Sequence, residues 1–216
     1  MDEDAEMIGK RDVIVAGRRA GEIVAEPQLH DAQDLMWMEQ VARGDEQAFR
    51  RLVERHQHSV KAMVVRMLGD VHEAEDIAQQ VFVRVWQAAA KWRPEAKFTT
   101  WLFTIVRNQV FNEGRRRSKR KESSLDERME NHPELLEADE QPAPDEVMAK
   151  GEWHRKIDAA IAQLPEQQRM AVLLRTFEGK DYDEIARVLD TSVSSVKSLL
   201  FRARHSLRAS LCDEDA

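Results

Sequence analysis

The sequence predicts an all-α fold of two small helical domains joined by an acidic flexible linker. Three observations predict it. Apolar residues recur at three- and four-residue steps over two long stretches, from Asp34 to Lys121 and from Glu146 to Leu211. Between them lies a segment with Pro133, Pro142 and Pro144, dense acids and little periodicity. Charge divides in the same way: the formal net charge is −7, yet residues 35–121 carry +7 and 153–212 carry +3, against −9 for 122–152. A chain of 216 residues is long enough for both parts to bury a core. The expected organisation is an N-terminal extension over 1–33, a first domain over 34–121, the linker over 122–145 and a second domain over 146–212.

Composition excludes several classes of function. Hydrophobic residues make up 42% of the chain and charged residues 34%, as in soluble globular proteins. A single cysteine, Cys212, leaves no disulfide framework and no multi-cysteine zinc site, and suits a reducing compartment. No apolar run approaches the roughly 20 residues of a membrane span. The acidic start MDEDAEM is unlike a secretory signal. A cytoplasmic protein without membrane insertion is expected. His56 and His58 lack carboxylates at metal-site spacing, and no Gly-rich phosphate loop or nucleophile motif is present. The expectation is therefore a non-enzyme with no catalytic residue, no metal and no cofactor. Basic folded parts in an acidic chain point to a polyanion partner, although solvated surfaces produce the same asymmetry.

The elements follow in order. The first thirty or so residues have few large apolar groups and read as disordered. From Asp34, Leu35, Met38, Val41 and Ala42 share a helical face. Phe49, Leu52, Val53, His56, Val60, Met63, Val64 and Met67 continue the period in a second helix, with Gly44-Asp45 and Gly69-Asp70 as punctuation. In HEAEDIAQQVFVRVWQAAAKW, Ala74, Ile77, Ala78, Val81 and Val85 form a core-facing stripe. Phe82, Val83 and Trp86 lie beside or opposite it, next to Asp76, Gln79 and Gln80. Such a helix is either wrapped on several sides or presents a second apolar face for another protein. Pro94 then breaks the pattern. Thr99 or Thr100 can cap the next helix, whose burial is driven by Trp101, Leu102, Ile105, Val106, Val110 and Phe111. That helix ends in Arg115, Arg116, Arg117, Lys119, Arg120 and Lys121. Rings interleaved with cations and with Thr100, Asn108 and Asn112 suit a single-stranded nucleic acid, since bases stack on rings while cations follow phosphates. The same pattern also describes a core helix with a solvated basic end.

Beyond the linker, Trp153, Ile157, Ala160, Ile161 and Leu164 form one stripe. Pro165 suits a first helical position, Met170, Leu173, Leu174 and Phe177 bury the next helix, and Gly179 stops it. KDYDEIARVLDTSVSSVKSLLFRARHSLR reads as two helices about a tight turn at Asp190-Thr191. Tyr182, Ile185, Ala186 and Leu189 face inward from the first helix. From the second, Val193, Val196, Leu200, Ala203 and Leu207 face inward, with Leu199 on the flank. Ser194, Lys197, Ser198, Phe201, His205 and Arg208 face outward, with Arg202 and Arg204 at the sides, and no acid occurs between Thr191 and Leu211. This is the pattern of a helix-turn-helix whose second helix enters a major groove, where an outward Phe can lie against a thymine methyl.

Taken together, AEDIAQQVFVRVW, FTTWLFTIVRNQVFNEGRRR and LPEQQRMAVLLR followed by YDEIARVLDTSVSSVKSLLFRAR resemble the extracytoplasmic-function class of sigma-70 factors, the dissociable promoter-reading subunits of bacterial RNA polymerase. The resemblance covers residues 35–120 and 146–211. It implies that Asp76, Gln79, Gln80, Val83 and Trp86 dock on the clamp of core polymerase, within a sigma region 2 domain. It implies that Lys97, Phe98, Thr100, Trp101, Arg107, Asn108, Arg115 and Arg116 meet the melted minus 10 strand. In a sigma region 4 domain, which also has a docking site on polymerase, Ser194, Ser195, Lys197, Ser198, Phe201 and Arg202 would read duplex minus 35 DNA. The linker matches in place the one that threads the polymerase channel, and an anti-sigma factor is an implied partner. Two departures stand out: the family often has a polar residue where this chain has Leu199, and often Gly in the turn where it has Asp190. The alternative is a one-component helix-turn-helix regulator that is not a polymerase subunit. It lacks a use for the second nucleic-acid segment.

Overall fold

The computed structural model describes residues 26–123 and 155–212. The expectations for residues 1–25 and for linker residues 124–145 lie outside the described residues, while residues 122 and 123, expected in the linker, continue a helix. Helix α1 spans Glu26–Val41, α2 Glu46–Leu68, α3 Val71–Ala88 with a 3-10 turn Ala89–Lys91, and α4 Phe98–Ser123. Residues 155–162 form α5, followed by α6 Glu166–Thr176, α7 Tyr182–Leu189 and α8 Val193–Cys212. There is no strand among the described residues.

Helix α1 begins inside the segment expected to be an extension, and side chains explain why. Asp34 is 1% exposed and accepts hydrogen bonds from Arg55 at 2.7 Å and from His56 at 2.8 Å, while Arg55 also donates to Gln33. The Arg55 guanidinium lies 4.1 Å from the Trp37 ring centroid. Polar anchoring of this kind is invisible to a count of apolar residues.

The helix limits have local causes. The Asp45 carboxylate accepts the Gln47 and Ala48 N–H groups at the start of α2, and Asp70 accepts that of Glu73 at the start of α3. Gly69 ends α2 at φ 71°, a left-handed conformation that suits a residue without Cβ. Asp181 and Glu184 form a reciprocal capping box on α7. Asp190 takes φ 54° at the turn to α8, the conformation glycine usually supplies. Ser192 Oγ then accepts the Ser195 N–H.

Two expectations about helix starts are corrected. α4 begins at Phe98, with Trp101 N–H donating to the Lys97 carbonyl, so Thr99 and Thr100 lie in the first turn and are not caps. Their hydroxyls are engaged elsewhere, by Lys180 and Glu184. Pro165 stands just before the first residue of α6 and not in it.

In the first half, α1, α2, α3 and α4 enclose Met38, Leu52, Val60, Val64, Val81, Val85, Leu102 and Phe103, all at most 2% exposed. Burying one such side chain contributes about 1.5–3 kcal/mol. In the second half, α6, α7 and α8 enclose Met170, Leu173, Leu174, Ile185, Val196 and Ala203. Leu199 joins them at 7% exposure, so the departure from the family pattern is a packing residue. The halves do not stand apart. α7 packs along α4 and α6 packs against α2, and the buried residues form one continuous cluster.

Candidate functional site

Three surfaces emerge, and they differ in what covers them. The first is a groove between α2 and α3 of about 1150 Å³, lined by Phe49, Val53, Lys61, Phe82, Val83 and Trp86 among others. The core stripe of α3 turns Ala74, Ile77, Val81 and Val85 inward, which leaves Asp76, Gln79, Gln80, Val83 and Trp86 all exposed. Val83 is 52% exposed and Trp86 37%, while the Phe49 ring meets Trp86 edge-on with centroids 5.1 Å apart. Phe82 also borders the groove but is buried. Lys61 and Glu75 pair across the groove. The hydrogen bond and the charge of Lys61 hold the Glu75 carboxyl below its usual range. Sequence reasoning missed Phe49, Val53 and Lys61 here, because a groove between two helices has no signature along either one.

The second surface is the outer face of α8. Ser194, Lys197, Ser198, Phe201 and Arg202 are exposed and Ser195 is half-buried. Phe201 is 69% exposed, the most exposed large apolar residue among those described. The hydroxyls of Ser194 and Ser195 each lie 2.9 Å from that of Ser192, gathering three hydroxyls at the start of the helix. Val196, Leu199, Leu200 and Ala203 anchor the inner face, so the outer side chains project from a rigid support.

The third surface is the first half of α4 with the residues before it, and here the fold departs from an open binding face. Phe98 is 2% exposed and packs on His56 and Trp101, in the core and not on the surface. Thr100 is also 2% exposed and donates to Glu184 Oε1 at 3.2 Å. Lys97 lies 3.4 Å from the same Glu184 oxygen and 3.3 Å from Asp31. Arg107 Nε donates to the Val188 carbonyl at 2.9 Å. Trp101 is half-buried; Asn108, Arg115 and Arg116 are exposed. Arg116 pairs with the buried Glu113 at 3.2 Å, and Arg115 bonds to Asn112. Arg117 has a structural task, donating to the Leu68 carbonyl and pairing with Glu73.

Glu184 was not singled out in the sequence. The spacing Asp181-x-x-Glu184 marks a helix start, but its reach to Lys97 and Thr100 depends on α7 lying on α4.

The described residues contain no group of three or more His, Cys, Asp or Glu side chains that could hold a metal ion, and no helix long and apolar enough to cross a membrane.

Comparison with known proteins matches both halves of the chain to one family. The model of "Sigma-70 region 2" matches residues 52–120 and that of "Sigma-70, region 4" residues 154–207. The RNA polymerase sigma-H factor of Pseudomonas aeruginosa is 36% identical over 187 residues, covering 85% of this chain and 96% of that protein. The ECF RNA polymerase sigma-E factor of Escherichia coli K12 is 34% identical over 181 residues, covering 81% and 92%. Among solved structures, CnrH in complex with the cytosolic domain of CnrY aligns with TM-score 0.60 at 26% identity, over 85% of this chain and 99% of CnrH. The RpoE of Bartonella quintana, solved with the anti-sigma factor NepR, aligns at 0.63 and 21% identity, over 76% and 96%, and supports the fold.

Proposed function

Because this chain belongs to the extracytoplasmic-function class of the sigma-70 family, whose members direct RNA polymerase to promoters, we propose that its three surfaces divide that work. Asp76, Gln79, Gln80, Val83 and Trp86 on the α3 groove dock on the clamp of core polymerase. Lys97, Thr100, Trp101, Arg107, Asn108, Arg115 and Arg116 receive the melted minus 10 strand, stacking and phosphate contacts offsetting the few kcal/mol that extruding a base costs. Phe98 supports that face from the core. The α8 face, Ser194, Ser195, Lys197, Ser198, Phe201 and Arg202, reads duplex minus 35 DNA through base edges and backbone.

The observation that carries this reading is the presence in one chain of two separate outward surfaces, the helix-turn-helix face with Phe201 and the apolar groove with Trp86. A one-component regulator has no use for the second. The chain works by binding and performs no reaction of its own, in the cytoplasm where polymerase and promoters are. An anti-sigma factor is a further partner in this reading; the likeness to CnrH, solved in complex with the cytosolic domain of CnrY, supports a second protein partner.

Core polymerase charged with this protein is expected to start transcripts at a limited set of sites on a genomic DNA library, sharing two sequence elements upstream. Initiation no more specific than by core polymerase alone would overturn the reading. Lys197→Ala with Arg202→Ala should weaken promoter binding and spare polymerase binding, and Asp76→Ala with Trp86→Ala should do the reverse.

A further inference from the structure

The basic end of α4 carries four arginines, Arg115, Arg116, Arg117 and Arg120, and the fold sorts them. Arg117 donates to the Leu68 carbonyl and pairs with Glu73, so it ties α4 to the turn between α2 and α3. Arg115 is held by neutral oxygens, the Asn112 amide at 2.7 Å and the Phe111 carbonyl at 3.3 Å. Arg116 and Arg120 share one carboxylate. Glu113 Oε2 takes Arg116 Nε at 3.2 Å, and Glu113 Oε1 takes Arg120 Nη2 at 2.8 Å. The acid side chain is 9% exposed, whereas the two arginine side chains are 68% and 58% exposed.

An acid in that place needs a reason. Glu113 lies three residues after Val110 and seven after Val106, both fully buried, so it stands on the core-facing stripe of α4. A carboxylate there loses its water and is tolerated when paired, and an apolar residue of similar size often serves stability as well or better. Its partners explain it. Arg116 and Arg120 are one helical turn apart, so the shared acid brings two guanidiniums side by side on one flank of the helix. Arg116 is engaged through Nε, the nitrogen nearest its stem, which leaves its two terminal nitrogens at the exposed end, where a guanidinium grips phosphate oxygens in pairs. We propose that Glu113 is a positioning residue for promoter DNA, its buried carboxylate bracketing Arg116 and Arg120 into a clamp for the phosphodiester backbone. The proposal rests on the reading that the basic end of α4 meets promoter DNA. An arginine that is already braced gives up less side-chain freedom when it takes a phosphate. The bracket stays cationic, since two guanidiniums and one carboxylate leave a net positive charge. Glu113 nevertheless subtracts charge from a DNA-facing surface, so simple attraction and positioning predict opposite results when it is neutralised.

The test uses the full chain bound to core polymerase and two fluorescein-labelled forms of one promoter fragment recovered from the genomic library, one fully duplex and one with its minus 10 segment single-stranded. Affinity is read by anisotropy over a salt series. Glu113→Gln keeps the shape of the side chain and makes the surface more positive, yet it is expected to bind about tenfold more weakly than wild type, the order of one charge-assisted contact. Arg116→Gln with Arg120→Gln should lose at least as much and lower the slope of log affinity against log salt by about 1.4–1.8, the change for two phosphate contacts. Adding Glu113→Gln to that double variant should change nothing further, because the acid acts through the two arginines. In nitrogen NMR of the free chain, the Arg116 Nε–H should exchange slowly with water and should exchange faster in Glu113→Gln. Glu113→Gln binding as tightly as wild type or tighter overturns the proposal. So does an equal loss with and without the arginines, which marks Glu113 as structural only. A loss on both probes assigns the clamp to duplex phosphates, and a loss on the opened probe alone assigns it to the single strand; either supports the bracket. If the double arginine variant binds both probes like wild type, the assignment of this end of α4 to promoter DNA falls. If it binds weakly while Glu113→Gln does not, positioning alone is wrong.

Discussion

Phe201 leaves 69% of its surface in water on a helix whose other large apolar residues face the core. Its truncation should therefore be nearly silent in folding. Phe201→Ala is expected to change stability by under about 0.5 kcal/mol in thermal melts. Duplex promoter affinity should fall about tenfold, within the range for a specific base-edge contact, as read by mobility shift of the polymerase complex. Lys97 makes the opposite case, a residue whose outward address is legible but whose partner is not. Burial disfavours its ammonium, yet Glu184 and Asp31 outweigh that and raise its pKa above the usual 10.5. A raised lysine pKa means that the contact stabilises the closed form fully below the ordinary value and is lost as pH rises through the raised one. Glu184→Gln should bring the Lys97 pKa down, measured by nitrogen NMR of the side chain. Leu199 and Asp190 were legible as departures from a family pattern. Only packing shows that Leu199 belongs to the core and that Asp190 occupies a left-handed turn at φ 54°.

At the scale of elements, periodicity and punctuation carried most of the fold. The pairs Gly44-Asp45 and Gly69-Asp70 and the run of Val193, Val196, Leu200 and Ala203 set helix limits and faces through local rules. Helix α1 escaped them in part, because its anchor is the buried Asp34 carboxylate shared by Arg55 and His56 and not an apolar stripe. Asp34→Ala leaves two cationic or hydrogen-bonding groups without that acceptor in a largely dry site. It should cost about 3 kcal/mol, seen as a lower denaturation midpoint, with faster amide exchange in α1. Helix α3 was ambiguous for a different reason. Its surplus apolar face divides in two, Phe82 turning inward and Val83 and Trp86 outward, and one strip of sequence cannot tell which side a neighbouring helix takes.

In the whole molecule, the acidic composition conceals two basic folded halves, and the halves close on one another along α4. The seam is laced by ion pairs of partly exposed groups, Lys97 with Glu184 and Arg66 with Asp158. Salt screens such pairs, the Debye length falling to about 3 Å near 1 M. Raising sodium chloride from about 0.05 M to about 1 M should increase the radius of gyration of the free chain in small-angle scattering, whereas the Glu184→Gln chain should respond less. The sequence by itself determined the helical class, the division into two basic halves about an acidic segment, the helix-turn-helix with its outward Phe201, and the family. Each of these rests on short-range rules of spacing, capping and charge that one strip of chain contains. Only the tertiary structure decided that Thr99 and Thr100 bond across the seam, that Phe98 is core, and that Glu184 reaches Lys97 and Thr100. The threonine and Glu184 contacts join residues more than eighty positions apart, and Phe98 is buried where α4 meets His56 of α2; these juxtapositions are set by how apolar faces pack together and by nothing local to either.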